Sequence, residues 1–207
     1  MCYNFRMVTA IFLAAGLSLR MGRFKLLLPW GARTVFGQVV ATLEAAGVAE
    51  VVVVTGHRAT DVAAALAGTS ARIVFNPDYA TGEMLSSIQT GLRAANPKGL
   101  ADPSGLHAPK AALLCLGDQP QMEVATVRAV LTAGAAAGWE QIIVPSFQMR
   151  GGHPTLLPRA IWPDILAATD TLRTVLVAHK NYTYYLSVDT PSVLADLDTM
   201  EDYELCA

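Results

Sequence analysis

The chain has 207 residues, a formal net charge of −2, 53% apolar residues and only 15% charged ones. That length buries one substantial core; the apolar fraction excludes a disordered chain, and the near-neutral charge excludes a basic field for nucleic acid. The apolar runs fall far short of the about 20 residues that cross a bilayer, and no signal-peptide stretch precedes the first strand, so neither a membrane span nor export is expected.

Residues 1–6 read as a disordered extension, and the whole of 1–207 as a single domain. The short apolar run Val8–Ala14 has the pattern of a buried parallel strand. It delivers a loop of small and basic residues, Leu13-Ala-Ala-Gly-Leu-Ser-Leu-Arg-Met-Gly-Arg-Phe-Lys25. Ala14, Ala15 and Gly16 let a backbone approach a flat or anionic ligand closely, and Gly16 tolerates positive φ. Ser18, Arg20 and Lys25 then supply a hydroxyl, a guanidinium and an ammonium for one polyphosphate. Five residues separate Gly16 from Gly22, which fits neither the dinucleotide fingerprint nor the P-loop.

Thr34 is an expected N-cap for a helix over Val35–Ala46, closed by Gly47. Val51–Thr55 reads as a second strand, Thr60 or Asp61 opens a helix to about Leu66, and Arg72–Phe75 gives a third strand. This alternation argues for an α/β fold, a mostly parallel sheet with helices on both faces, binding ligands beyond the carboxyl ends of its strands. A turn-rich segment, Asn76 to Gly82, runs into a helix from Glu83, where Ser86 and Ser87 are either caps or ligand contacts. Residues 96–110 are rich in Pro, Gly and Ala and read as a long surface loop.

Ala111–Leu116 is the most apolar strand and ends in Gly117-Asp118-Gln119-Pro120. Asp118 either holds a hard cation at the strand's carboxyl end or caps the helix expected over Val124–Gly138. Glu140–Pro145 reads as a fifth strand, followed by Gly151-Gly-His-Pro, where His153 is a candidate proton acceptor or a positional residue. No carboxylate near it in sequence tunes its pKa, which favours position. Arg159–Ala168 and Thr171–Lys180 read as helices, the second capped by Asp170, and Thr183–Val188 as a strand. Asp196 and Asp198 would share one face of a further strand, so that one or the other joins Asp118 at a cation, or Asp198-Thr199 caps the last helix. Cys2, Cys115 and Cys206 have no metal or redox spacing; a reducing cytoplasm is expected, with Cys115 as a core residue.

The signature L-A-A-G-x-S-x-R-M-G-x-x-K-x-L-L-P closely resembles that of molybdenum cofactor cytidylyltransferases, within the MobA-like NTP transferase superfamily. The resemblance extends through Gly82 to Leu92, G-D-Q-P, G-G-H-P and the ending D-x-D-T-M-E-D-Y, in which Met200 replaces the family's usual proline. It implies a Rossmann-like three-layer α/β/α fold of the nucleotide-diphospho-sugar transferase type. It also implies transfer of CMP from CTP to the phosphate of molybdopterin, with Mg²⁺ and release of pyrophosphate, and delivery of the product to a molybdenum hydroxylase. On this resemblance Leu13, Ala14, Ala15, Gly16, Ser18, Gly82, Ser86 and Ser87 hold the nucleotide; Arg20, Lys25 and Asp118 are catalytic; Gly152 and His153 shape the acceptor side; and Asp118, Asp196 and Asp198 bind the metal. Ala15, where guanylyltransferases of the group usually carry glycine, points to cytidine. The rivals are transfer to another small phosphate, such as a sugar phosphate or a GTP-derived cofactor, and a non-catalytic chaperone that carries the cofactor.

Overall fold

The computed structural model describes residues 5–16, 23–96 and 108–206. Ser18 and Arg20 lie outside them, as does most of the expected loop at 96–110. Ten strands and seven α-helices occur among the described residues. Strand β1 (Val8–Ala14) lies in the centre of an eight-stranded sheet because every side chain of its run is buried or nearly so. It pairs in parallel with β4 (Glu50–Thr55) on one side and β6 (Ala111–Leu116) on the other, and β5 (Arg72–Phe75) extends the β4 side in parallel. Such continuous apolar runs suit strands covered on both faces.

Alternation along these strands builds two cores. Ala10, Phe12, Val51 and Val53 face α1 (Val35–Ala46) and α4 (Val124–Ala136). Ile11, Val52 and Val54 face α3 (Glu83–Ala95), α5 (Trp162–Ala167) and α6 (Leu172–Ala178). The result is the three-layer α/β/α arrangement that the sequence led one to expect. The α1 caps are those expected: the Thr34 hydroxyl accepts from the Gly37 amide at 3.1 Å, and Gly47 sits at φ 92°.

The sheet departs from a purely parallel one at its far side. The fifth long strand, β7 (Ile142–Phe147), does not pair with β6 along its length. Between them runs β9 (Thr155–Pro158), antiparallel to both, and β10 (Thr183–Ser187) closes the edge in parallel with β7. The inversion begins at a hairpin. Gln148 and Met149 both take positive φ, the conformation of a tight primed turn, and β8 (Arg150–Gly151) returns along β7.

Several expectations are corrected. Phe5–Met7 form a 3-10 turn with Phe5 packed on the core, so the disordered extension expected over 1–6 does not include Phe5 and Arg6. Thr171 rather than Asp170 caps α6, because its hydroxyl reaches the Thr174 amide while the Asp170 carboxylate takes the Thr174 hydroxyl. Residues 195–198 are not a strand; they are irregular backbone after the 3-10 turn Pro191–Leu194. Thr199 and Asp202 reciprocally cap α7 (Met200–Cys206), since the Thr199 hydroxyl accepts from the Asp202 amide and the Asp202 carboxylate from the amides of Asp198 and Thr199. The Thr199 hydroxyl, which donates to the Asp202 carboxylate at 2.8 Å, and then the two amides hold that carboxyl below the usual range. No described helix is long and apolar enough to cross a membrane.

Candidate active site

The site lies where β1 and β6 end. A side chain on Gly117 would collide with the Leu13 carbonyl, which instead accepts the Gly117 amide at 3.1 Å, so the two strand ends meet without an intervening Cβ. Asp118 therefore emerges directly beside the turn that follows β1. It does not cap α4, whose first residue is preceded by Glu123 with no side-chain cap.

Lys25 reaches this point from the other end of the phosphate-loop signature. Phe24 and Leu26 are buried and fix the backbone on either side of it. Its ammonium donates to Asp118 Oδ2 at 2.5 Å and to the Leu197 carbonyl at 3.0 Å, and lies 4.0 Å from Asp198 Oδ1. The Leu197 amide in turn donates to the Asp118 carbonyl at 3.0 Å. Residues 23–27, 117–119 and 193–198 are thus laced together at one end of the sheet.

Gln119 completes the lacing and was not given a role by sequence reasoning. It is almost wholly buried, and its Nε2 donates to Asp196 Oδ1 at 2.7 Å and to the Val193 carbonyl at 3.5 Å. The same Val193 carbonyl accepts the His153 amide at 3.0 Å. It also occupies the space that a side chain on Gly152 would need, so Gly152 lets the segment that carries His153 approach Val193. Asp196 and Asp198 do come to Asp118, but through these bonds and not through a shared strand face.

Two groups at the site titrate away from their ordinary values. Partial burial raises the Asp196 carboxyl above its usual range, as do the charges of Asp118 and then Asp198, against the opposing Gln119 hydrogen bond and Lys25. Burial lowers the His153 imidazole, opposed by its contact with the Leu114 backbone and by the charge of Asp118. A carboxylate therefore does stand near His153, invisible in sequence because 35 positions separate the two. Buried Gln119 Oε1 and His153 Nδ1 have no hydrogen-bond partner among the described residues.

The residues suit a hard divalent cation. The carboxylates of Asp118 and Asp198 and the Leu197 carbonyl lie within 4.0 Å of the Lys25 ammonium, with the Asp196 carboxyl near enough to feel their charge, an oxygen set typical of such ions. Among the described residues, no three His, Cys, Asp or Glu side chains are gathered closely enough to hold a metal ion as they stand.

In the turn after β1, Ala14 and Ala15 are buried, and the Ala15 carbonyl takes the His57 amide at 3.5 Å. Gly16 does not take a positive φ, and an added Cβ there meets nothing within 4 Å among the described residues. His57 and Arg58, which follow β4, flank this turn: the His57 ring meets Phe24 edge-on at 6.0 Å and the Arg58 guanidinium lies 5.3 Å above the Phe24 ring. Sequence reasoning passed over both, although their place just beyond a parallel strand's carboxyl end was a usable signal.

Gly82 precedes α3, and the two serines lie within the helix, so neither is its N-cap. Both hydroxyls accept from Asn76 Nδ2, at 2.9 Å for Ser86 and 3.0 Å for Ser87. Ser87 is buried beneath this amide, whereas Ser86 keeps some surface. At the opposite rim the Tyr203 hydroxyl donates to the Pro29 carbonyl at 2.6 Å. This docks α7 on the small hairpin of β2 (Pro29–Trp30) and β3 (Arg33–Thr34).

The chain is 32% identical over 203 residues to nicotine blue oxidoreductase of Paenarthrobacter nicotinovorans, covering 94% of this chain and 93% of that one. It is 25% identical over 199 residues to the molybdenum cofactor cytidylyltransferase of Escherichia coli, covering 95% and 93%. Among solved structures, Rv0371c of Mycobacterium tuberculosis in complex with manganese is 27% identical, with a TM-score of 0.74 over 96% of this chain and 97% of that chain. The family model for the MobA-like NTP transferase domain matches residues 10–183, and the chain belongs to that family.

Proposed function

We propose that this protein transfers CMP from CTP to the terminal phosphate of molybdopterin, releasing pyrophosphate. The observation that carries the reading is the convergence of Lys25, Asp118 and Asp198 at the ends of β1 and β6, beside the small-residue turn at 13–16. The Escherichia coli relative supplies the acceptor and the base, and Ala15 agrees with it.

In this reading the turn Leu13 to Gly16, with Ser18, Gly82 and Ser86, positions the nucleotide, and Ser87 supports Ser86 through Asn76. Gly152 and His153 shape the acceptor side. An acceptor phosphate oxygen attacks the α-phosphorus in line, a new P–O bond forms, and the bond to the β-phosphate oxygen breaks as pyrophosphate leaves. Lys25, with Arg20, neutralises the charge that gathers on the leaving group. A phosphate oxygen needs no base, and the lowered imidazole of His153 makes it a neutral positional group. Asp118, Asp196 and Asp198 would hold Mg²⁺, which when bound supplies Lewis-acid stabilisation of the phosphoryl oxygens. Positioning and electrostatics then account for the catalysis. The product would pass, in the cytoplasm, to a molybdenum hydroxylase.

The test is pyrophosphate release from each of the four common nucleoside triphosphates, with Mg²⁺ and molybdopterin carrying molybdenum. Release with CTP above the others is expected. Release with GTP above the others changes the nucleotide assigned, release only when a sugar phosphate replaces molybdopterin moves the assignment to another acceptor, and release with none favours a cofactor chaperone. The 32% identity to nicotine blue oxidoreductase calls for one further arm, in which the chain is offered nicotine blue and a reduced nicotinamide nucleotide. Bleaching without any pyrophosphate release would replace the transferase reading.

A further inference from the structure

The Lys25 ammonium sits where the site would bind a cation. Its neighbours, Asp118 Oδ2 at 2.5 Å, the Leu197 carbonyl at 3.0 Å and Asp198 Oδ1 at 4.0 Å, are all hard oxygens. We propose that in the nucleotide-free chain Lys25 occupies the cation position itself, so that a divalent ion and Lys25 compete for one set of oxygens until a triphosphate draws Lys25 away. The inference rests on the nucleotidyltransferase reading and adds an order to it: nucleotide and cation bind together, and the cation alone binds poorly.

Three features make Lys25 suited to this. The buried neighbours Phe24 and Leu26 pin the backbone, while the long, flexible stem leaves the ammonium free to re-aim. The ion pair is only partly shielded, with side-chain exposures of 17% for Lys25 and 19% for Asp118, so an arriving polyanion has access. A triphosphate also offers the ammonium more negative charge than one carboxylate does. Two cations cannot share oxygens this close without strong repulsion, so the departure of Lys25 and the arrival of the ion are one linked event. The Leu197 carbonyl, which no motif revealed, belongs to the contested set.

The test uses the full chain without nucleotide and reads Mn²⁺ binding from the electron paramagnetic resonance signal of the free ion. Lys25→Gln is expected to bind Mn²⁺ about tenfold more tightly than the wild type, a modest share of what one nearby like charge withholds, and adding Asp118→Asn to that variant should abolish the gain. Equal affinities in wild type and Lys25→Gln overturn the proposal. A second measurement keeps the test independent of how well the variant folds. The chain has four lysines, so isotope-labelled lysine ε-carbons give few resonances, and Lys25 is assigned by its loss in Lys25→Gln. In the wild type a non-hydrolysable CTP analogue without metal should move the Lys25 resonance, and Mg²⁺ alone should not. A resonance that ignores the nucleotide, or that moves with Mg²⁺ alone, overturns the proposal that a triphosphate draws Lys25 away before the cation binds. Pyrophosphate release with equal Mn²⁺ affinities would sink only this inference, and the expected Mn²⁺ result without release would sink only the transfer reading.

Discussion

Two buried amides stand behind the two halves of the site, and they are used in opposite ways. Asn76 is fully satisfied: its Nδ2 serves both serines, its Oδ1 takes the Asp78 amide at 3.0 Å, and its own amide donates to the Thr55 carbonyl at 2.8 Å. Gln119 is not: one end holds Asp196, the other has no partner among the described residues, and beside it Lys25 pairs with Asp118 and lies 4.0 Å from Asp198. A closed neutral network stabilises one geometry, because every buried polar group has its hydrogen bond. An open, negatively unbalanced one leaves the fold something to gain from a bound cation. The contrast separates scaffold from chemistry on physical grounds.

The sharpest way to break the contrast is to remove Asp118. Asp118→Ala should lower metal-dependent pyrophosphate release by a factor of at least ~10², the scale of one strong electrostatic contact at a reacting centre. The melting temperature should move little, and turnover within a few-fold of wild type would take Asp118 out of the machinery. Removing Asn76 should do the reverse. Asn76→Ala leaves two hydroxyls and the Asp78 amide without their partner, and urea unfolding should show a loss of about 1–3 kcal/mol. Below its melting temperature, the chain should retain most of its kcat.

Two smaller effects concern titration. The folded-state pKa of His153 is lowered by burial, so the unfolded chain takes up a proton first as pH falls past the ordinary value of 6.5. Stability from this group is complete above that value and declines below it. His153→Gln should therefore flatten the fall in melting temperature between about pH 7 and pH 5, with turnover at neutral pH changed through KM for the acceptor more than through kcat. Asp196 has the opposite sign. Its folded pKa is raised, so its favourable contribution is complete below the ordinary 3.8 and is lost as pH rises through the folded value. At pH 7 and without metal, Asp196→Asn should melt slightly above the wild type, and Mn²⁺ added with a non-hydrolysable CTP analogue should stabilise it less than it stabilises the wild type. A variant less stable than the wild type without metal would mean that the Gln119 bond outweighs the repulsion.

Much of the fold was legible because its signals are local. The apolar runs of β1 and β6, the Thr34 and Gly47 caps of α1 and the helix that begins at Glu83 depend on side-chain pattern and backbone preference alone. The antiparallel β9 was not legible, since nothing in Thr155–Pro158 records which strands flank it or in which direction it runs.

The site divides the same way. By itself the sequence determined the residue types: small side chains after β1, a lysine at 25, an aspartate where β6 ends, and paired aspartates near the carboxyl terminus. Each follows from local chemistry and from the rule that parallel sheets bind ligands at their carboxyl ends. Only the tertiary structure decided how they meet. Lys25 is paired with Asp118 across 93 positions, Gln119 reaches Asp196 across 77, and the Leu197 carbonyl enters the site as a main-chain atom. A main-chain oxygen has no signature in a sequence, and hydrogen bonds between distant segments depend on how the strands are ordered.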